Sequence, residues 1–322
     1  MTRLAACPIC SSELWRPMTR GVRDYISDER FDVLRCDACG LAVTDPNPGD
    51  DVIERYYSAR YRGDRHAFTD RLRIALRSRM LESHFAPRFS GRFLDIGCGW
   101  GDFAVAMRGR GWDVSVTEIN ASSLEKLCAA GIDAKTPDEA MHGDGFGHAF
   151  DAITCWHVLE HVMRPVELVR WARGILAPHG VFQVTVPSLS SWQAKLGGRH
   201  WLHLDVPRHR YHFTRGTLRR ILEDNGFDVI DTTTFALEYD WFGWIQTALN
   251  GVCSRPNVLF ERMTSQARQW PGSRADVALS CVLAPPIATL TLPLSLLSWA
   301  CGAGATLTMT CRPCGSRTSQ SE

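Results

Sequence analysis

An α/β fold, built as a doubly wound and mostly parallel seven-stranded sheet, is predicted by three observations. Short apolar strands alternate with helical stretches from Phe93 to Phe235. The first of these strands, residues 93–96, runs into glycines at alternate positions, Gly97, Gly99 and Gly101. There the backbone can turn sharply and the N–H groups of the next helix point at a ligand. The second strand, residues 113–117, ends on Glu118, at the position where a doubly wound fold holds ribose hydroxyls.

The elements follow in order. Cys7 and Cys10 form one C-x2-C unit, and Cys36 and Cys39 form a second. Each unit turns two thiolates toward one point, so the four predict a closed tetrahedral zinc site that serves folding or docking. Residues 1–48 are accordingly expected to be a small zinc ribbon. Pro46, Pro48 and Gly49 mark its end. Residues 49–90 are expected to be a helical linker or lid. They hold Tyr56, Tyr57 and Tyr61 and most of an arginine-dense stretch with nine arginines from Arg60 to Arg92. Two readings of these arginines stand side by side: an anion-facing lid, or a solvated helix whose arginine stems cover apolar surface.

Residues 91–236 hold the core. A helix after Gly101 closes at Gly109 and Gly111, and Asn120 is a good N-cap for the next one. A short strand near Ile132 leads to a glycine-rich loop at residues 143–147. The fourth strand, residues 150–155, runs into Trp156, His157, Glu160 and His161, and the fifth, residues 181–186, stops at Pro187. A helix from Thr214 to Gly226 precedes the sixth strand. Ligands in such folds sit at the carboxyl ends of the strands, where Gly97, Glu118, Trp156 and Ser188 all fall.

Composition sets limits. The chain has 322 residues, 45% of them hydrophobic, and a formal charge of +1. That balance gives no electrostatic case for nucleic acid as the main partner. The N-terminus shows no secretory pattern, and twelve cysteines in such a chain suggest reduced thiols and metal binding, so a cytoplasmic protein is expected.

The loop Asp95, Gly97, Cys98, Gly99, Gly101 departs from a dinucleotide fingerprint, because Asp102 stands where the last glycine would be. It resembles the first motif of class I S-adenosylmethionine-dependent methyltransferases. The resemblance implies a Rossmann-like core in which this loop admits the methionine part of the cofactor, Glu118 the ribose, and Trp156 one flank. The segment His157, Glu160, His161 is similar to the Glu-x-x-Glu-His motif of ubiquinone-type O-methyltransferases, with His157 replacing the first glutamate. That resemblance implies a divalent metal near Glu160 and His161. The other reading is that these residues orient the segment and line the pocket. On a helix, the i, i+4 spacing would place both imidazoles on one face. The whole stretch from the cysteines to Phe235 also resembles zinc-ribbon methyltransferases of polysaccharide gene clusters.

A loop rich in His and Arg at residues 201–213 lies past the fifth strand. His203, His209 and His212 are candidate bases there, and Arg208 is a candidate for holding an anionic substrate group. Together with His157, Glu160 and His161 they complete the candidate catalytic set.

The last eighty residues differ. No charged residue occurs from Val277 to Cys311, yet Pro285, Pro286 and Pro293 interrupt the run. The expectation is an apolar insertion at residues 237–301, folded as two short helical pieces. Peripheral membrane contact through residues 241–300, a protein interface, buried core and a true span are its open readings. Residues 302–322 supply the last strand and a tail. The resulting expectation is methyl transfer to a small-molecule, sugar or lipid-linked acceptor, with oxygen favoured, at the cytoplasm or the cytoplasmic membrane face. An RNA methyltransferase gripping its substrate with the ribbon, and a non-catalytic scaffold, are the alternatives.

Overall fold

The computed structural model describes residues 6–57, 67–87, 89–234, 236–264 and 273–315. Tyr61 and the arginines at 60, 62, 65 and 88 lie outside the described residues. In chain order the strands are β1 (Trp15–Arg23), β2 (Arg30–Cys36), β3 (Ala42–Asp45), β4 (Arg92–Ile96), β5 (Asp113–Thr117), β6 (Asp133–Lys135), β7 (Phe150–Trp156), β8 (Leu176–Pro187), β9 (Tyr211–His212), β10 (Phe227–Thr233) and β11 (Thr306–Pro313).

Seven of them form one Rossmann-like sheet in the order β10-β11-β8-β7-β4-β5-β6. Strands β8, β7, β4, β5 and β6 are parallel, while β11 runs antiparallel to both β8 and β10. The strand order reverses at β4, which has β5 on one side and β7 on the other. The crevice of a doubly wound sheet opens at that switch point.

Side-chain alternation fills both faces. Leu94, Ile153, Phe182 and Val184 face one apolar layer. Phe93, Ala152 and Val181 face the other, with Trp112 and Met107. Each large apolar side chain so buried contributes about 1.5–3 kcal/mol. The helix signals read from the sequence are used: the Asn120 side chain caps Ala121–Ala129 and Thr214 caps Arg215–Glu223. One helix escaped that reading. A capping box between Thr136 and Glu139 starts Pro137–His142 just ahead of the glycine-rich loop.

The N-terminal sheet has the order β1-β2-β3-β9. Its fourth strand comes from the His/Arg segment, which was expected to be loop throughout. Ala42 and Val43 pair with His212 and Tyr211.

The apolar insertion departs from expectation. Instead of two short pieces, Arg274–Ala300 is a single helix of 27 residues with all three prolines inside it. It packs along helix Leu237–Asn250, and Trp241 Nε1 donates to the Ala288 carbonyl at 2.8 Å. Thr289 and Ser295 hydroxyls donate to the carbonyls four residues back. Lateral packing and these side-chain bonds hold together a helix whose prolines remove backbone donors.

Candidate functional site

The glycine loop is built on two kinds of glycine. Gly97 and Gly101 have φ of 68° and 78°. A Cβ on Gly97 would run into Val158 Cγ2, and one on Gly101 into Leu127 Cδ2. Close packing and left-handed backbone both demand glycine there. Gly99 also has a positive φ, 61°, yet a Cβ built on it meets no described atom within 4 Å. Gly99 therefore leaves its outer side open where a ligand's backbone-hugging part would pass.

Glu118 crosses from β5 to grip that loop. One carboxylate oxygen accepts the Gly99 N–H at 2.8 Å, and the other accepts the N–H groups of Ile119 and Asn120, each at 3.0 Å. Asp95, at the penultimate position of β4, is buried and accepts the Thr154 hydroxyl at 2.6 Å. Burial pushes the Asp95 carboxyl up to about 6, against the Thr154 hydrogen bond and the Arg77 charge, which lower it. Burial also raises the Cys98 thiol, so Cys98 is protonated and no nucleophile.

Arg77 was missed in the sequence. It lies in helix Ala67–Glu82, inside the arginine-dense stretch, and its guanidinium sits 4.2 Å over the Trp156 ring. Trp156 ends β7 with Phe103 edge-on at 6.3 Å. Trp156 and Arg77 together thus face the carboxyl end of β4, where Arg77 is electrostatically coupled to Asp95. Nothing in the spacing of nine arginines singles out this one.

Beyond Trp156 the chain makes a tight turn in place of a helix, and His157 takes a positive φ of 55°. The i, i+4 argument for His157 and His161 therefore fails, and the two rings face different neighbours. His157 Nδ1 lies 3.3 Å from Glu160 Oε1, and its ring packs against Tyr239 at 4.5 Å. His161 faces His209, ring to ring at 4.6 Å.

The ligating atoms of Glu160, His161 and His209 fall within 4.8 Å of one another. His161 Nδ1 lies 3.0 Å from the Arg208 carbonyl and 3.0 Å from the Tyr57 hydroxyl, and His209 Nδ1 lies 2.9 Å from the His203 carbonyl. A carbonyl only accepts, so both Nδ1 atoms carry the proton and both Nε2 lone pairs are available. Burial, with His209 beside it, lowers His161 to about 4, and burial lowers His209 as well. Burial also raises the Glu160 carboxyl, and Glu160 Oε2 has no hydrogen-bond partner among the described residues.

The remaining loop candidates bond to groups within the protein. Arg208, expected to meet substrate, is fully buried. It donates to Asp205 at 2.7 Å, to Asp24 at 2.8 Å and to the Tyr56 carbonyl at 2.9 Å. Burial would raise Asp205, but Arg208 holds it down at about 2. Arg210 ties the His161 carbonyl to Asn47 and Asp50. His212 bonds Thr44 at 3.0 Å, and His203 lies 3.3 Å from the Tyr239 carbonyl. Arg208 matches the buried Asp24 and Asp205 carboxylates, and both arginines join the N-terminal sheet to the core instead of facing solvent.

At the far end of that sheet, Cys7 Sγ lies 3.5 Å from Cys39 Sγ and Cys10 Sγ 3.5 Å from Cys36 Sγ. All four sulfurs fall within 4.8 Å of one another. Burial raises Cys36, yet the N–H groups of Cys39 and Ala38 and the neighbouring sulfurs bring it down to about 7.

A glycine loop after β4, an acidic residue closing β5 and a reversal of strand order at β4 are the layout of a doubly wound α/β fold. The description "Methyltransferase domain" matches residues 61–232, over half of the chain, and the chain belongs to that family. The ubiquinone biosynthesis O-methyltransferase of Pectobacterium atrosepticum is 30% identical over 128 residues, covering 37% of this chain and 53% of that one. Its counterpart from Paracidovorax citrulli is 34% identical over 110 residues, covering 31% and 46%. The chain thus spans about half the length of the curated relatives it matches. Among solved structures, the [4+2]-cyclase SpnF is 19% identical with a TM-score of 0.48, covering 79% of this chain and 87% of that chain. A SAM-dependent methyltransferase from Archaeoglobus fulgidus is 18% identical with a TM-score of 0.45, covering 80% and 96%.

Proposed function

We propose that the protein transfers a methyl group from S-adenosylmethionine to a hydroxyl oxygen of a small-molecule, sugar or lipid-linked acceptor. The observation that carries this reading is the Glu160–His161–His209 cluster, whose first two members lie on the turn after β7 that also carries Val158, the neighbour of Gly97. The open side of Gly99, the Glu118 carboxylate and Arg77 fit the cofactor's backbone-hugging chain, ribose hydroxyls and carboxylate respectively. Bound S-adenosylmethionine supplies an electrophilic methyl group on a positively charged sulfur.

The rest falls to side chains. Glu160 orients His157, whose imidazole takes the acceptor's hydroxyl proton as the oxygen attacks. Tyr239 and Trp156 wall the site and exclude water. Glu160, His161 and His209 would hold a divalent cation: two neutral imidazoles and one carboxylate are an N/O donor set, and each Nδ1–H bonded to a carbonyl is the second shell such ligands use. That cation would lower the hydroxyl's proton affinity. Cys7, Cys10, Cys36 and Cys39 would hold a structural zinc. Tetrahedral Zn–S bonds of about 2.3 Å put sulfurs roughly 3.8 Å apart, close to the 3.5 Å seen for two of the pairs.

The test is transfer of labelled methyl from S-adenosylmethionine into a fractionated cell extract. The expected result is label in small organic or lipid fractions, sensitive to mild base only where an ester has formed. Glu160→Gln should lower transfer at least tenfold while cofactor affinity is retained. Label appearing in RNA, or transfer indifferent to Glu160→Gln, overturns the reading.

A further inference from the structure

Helix Arg274–Ala300 is inside out. Its fully buried side chains are all polar: Asp276, Ser280, Ser295 and Ser298. Apart from Arg274 and Thr289 its exposed ones are mostly apolar, with Val282 at 69%, Leu290 at 74% and Leu297 at 53%, alongside Leu292, Leu296 and Trp299. At about 100° per residue, the exposed positions sweep roughly half the circumference, and from Val277 onward none of them is charged. A helix that packs on a water-bathed protein shows the reverse pattern. Small polar residues toward the neighbouring helix and leucines outward is how helices pack in lipid. The helix is long and apolar enough to cross a membrane, and only 11% of its most apolar window is buried.

We propose that this helix docks lengthwise on the surface of an anionic phospholipid bilayer, its apolar arc in the boundary between headgroups and acyl chains. Three features choose that occupant. The arc is convex and wide along about 40 Å, a shape that fluid lipid accommodates and a second folded protein would have to match with a long groove. Pro285, Pro286 and Pro293 withhold the amide donors for the carbonyls of Cys281, Val282 and Thr289. Such carbonyls are better served by water or headgroups than by acyl chains, which favours the interface over a crossing. Exposed arginines stand at its two ends: Arg274 opens it, and Arg215 bonds the Gly302 carbonyl beyond its close, where lipid phosphates would meet them. Trp241 and Trp299, both partly exposed, suit the headgroup level.

The docked face is one helix away from the site. Helix Leu237–Asn250 presents Trp241 to the apolar helix and Tyr239 to His157. Resting on the methyl-transfer reading, this names the acceptor class: a hydroxyl carried at the surface of a membrane.

The experiment is flotation of the full-length protein with phosphatidylcholine vesicles containing or lacking phosphatidylglycerol, beside calorimetric titration of S-adenosylmethionine. Binding to the anionic vesicles is expected. Leu290→Asp with Leu297→Asp, both on the exposed arc, should weaken it at least tenfold and leave cofactor affinity within twofold, and Arg274→Gln should weaken it selectively on anionic vesicles. Absence of flotation, or equal flotation by the double variant, overturns the proposal. So does a dimer in sedimentation that the double variant abolishes, which would make a second copy the occupant. Failure of cofactor binding in the titration counts against the methyl-transfer reading alone and leaves the vesicle result standing.

Discussion

Gly97 and Gly99 are two positions apart in one loop and both are left-handed, yet they answer to different constraints. Gly97 is confined by Val158, whereas Gly99 meets no described atom on its outer side. Gly97→Ala should therefore lower stability by about 2–4 kcal/mol, summing overpacking and backbone strain. Gly99→Ala should cost only the strain, about 1–2 kcal/mol, and should weaken S-adenosylmethionine at least tenfold, since the methyl group would project into the ligand's path. Arg77 offers a matched control for the same calorimetry. Arg77→Met should weaken S-adenosylmethionine strongly and methylthioadenosine, which lacks the carboxylate, hardly at all. Equal losses for both ligands would mean that Arg77 merely props Trp156.

Among the elements, the segment from Trp201 to Phe213 joins two sheets that are far apart in sequence. Its Tyr211–His212 strand completes the N-terminal sheet, and Arg208 and Arg210 bond to Asp24, Asn47 and Asp50 on one side and to the His161 turn on the other. Removing one partner of a buried ion pair typically costs about 3–5 kcal/mol, against about 0–1 for an exposed pair such as Arg219–Glu223. The cysteine cluster lies in this same sheet, so losing its metal should reach further than the cysteines. Cys36→Ser is expected to abolish bound zinc and to expose the β1–β3 amides to hydrogen exchange, with smaller loss of protection at Tyr211 and His212. Purified protein without zinc, with all four thiols alkylated in the native state, would refute the site.

For the whole molecule, buried histidines link stability to pH. Burial lowers both His203 and His212 to about 4, from about 6.5 in the unfolded chain. The unfolded state thus takes up their protons first, and the stability they supply is complete above about pH 6.5 and is lost as pH falls toward 4. Asp95, raised to about 6 by burial, acts oppositely: it favours the folded state as pH falls through 6. His161 and His209 shift with the other histidines, and Glu160 shifts with Asp95. Near pH 5 unfolding should take up about one net proton from His203, His212 and Asp95, a slope of roughly 1.4 kcal/mol per pH unit. Unfolding free energies measured from pH 7 to 4.5 should be nearly level above about pH 6.5 and fall below it. A flat profile would show that the imidazoles are reached by water.

Local chemistry decided a good deal of this. Alternating strands and helices, their caps, the glycine loop and the closing Glu118 are written in short windows, because turns, caps and two-residue alternation are set by neighbours in the chain. The paired C-x2-C units were legible for the same reason. What lay outside such windows needed the fold. Arg77 is one arginine among nine until a helix lays it on Trp156. Glu160, His161 and His209 form a cluster only because a turn replaces the expected helix and because the segment carrying His209 is anchored by buried arginines. The three prolines argued locally for a broken hairpin. Lateral packing and side-chain bonds to carbonyls outweighed them, and only the assembled structure shows which half of that helix is turned outward. Backbone preference acts over a few residues and can be read from them, whereas the facing of a side chain is decided by the contacts of the entire chain.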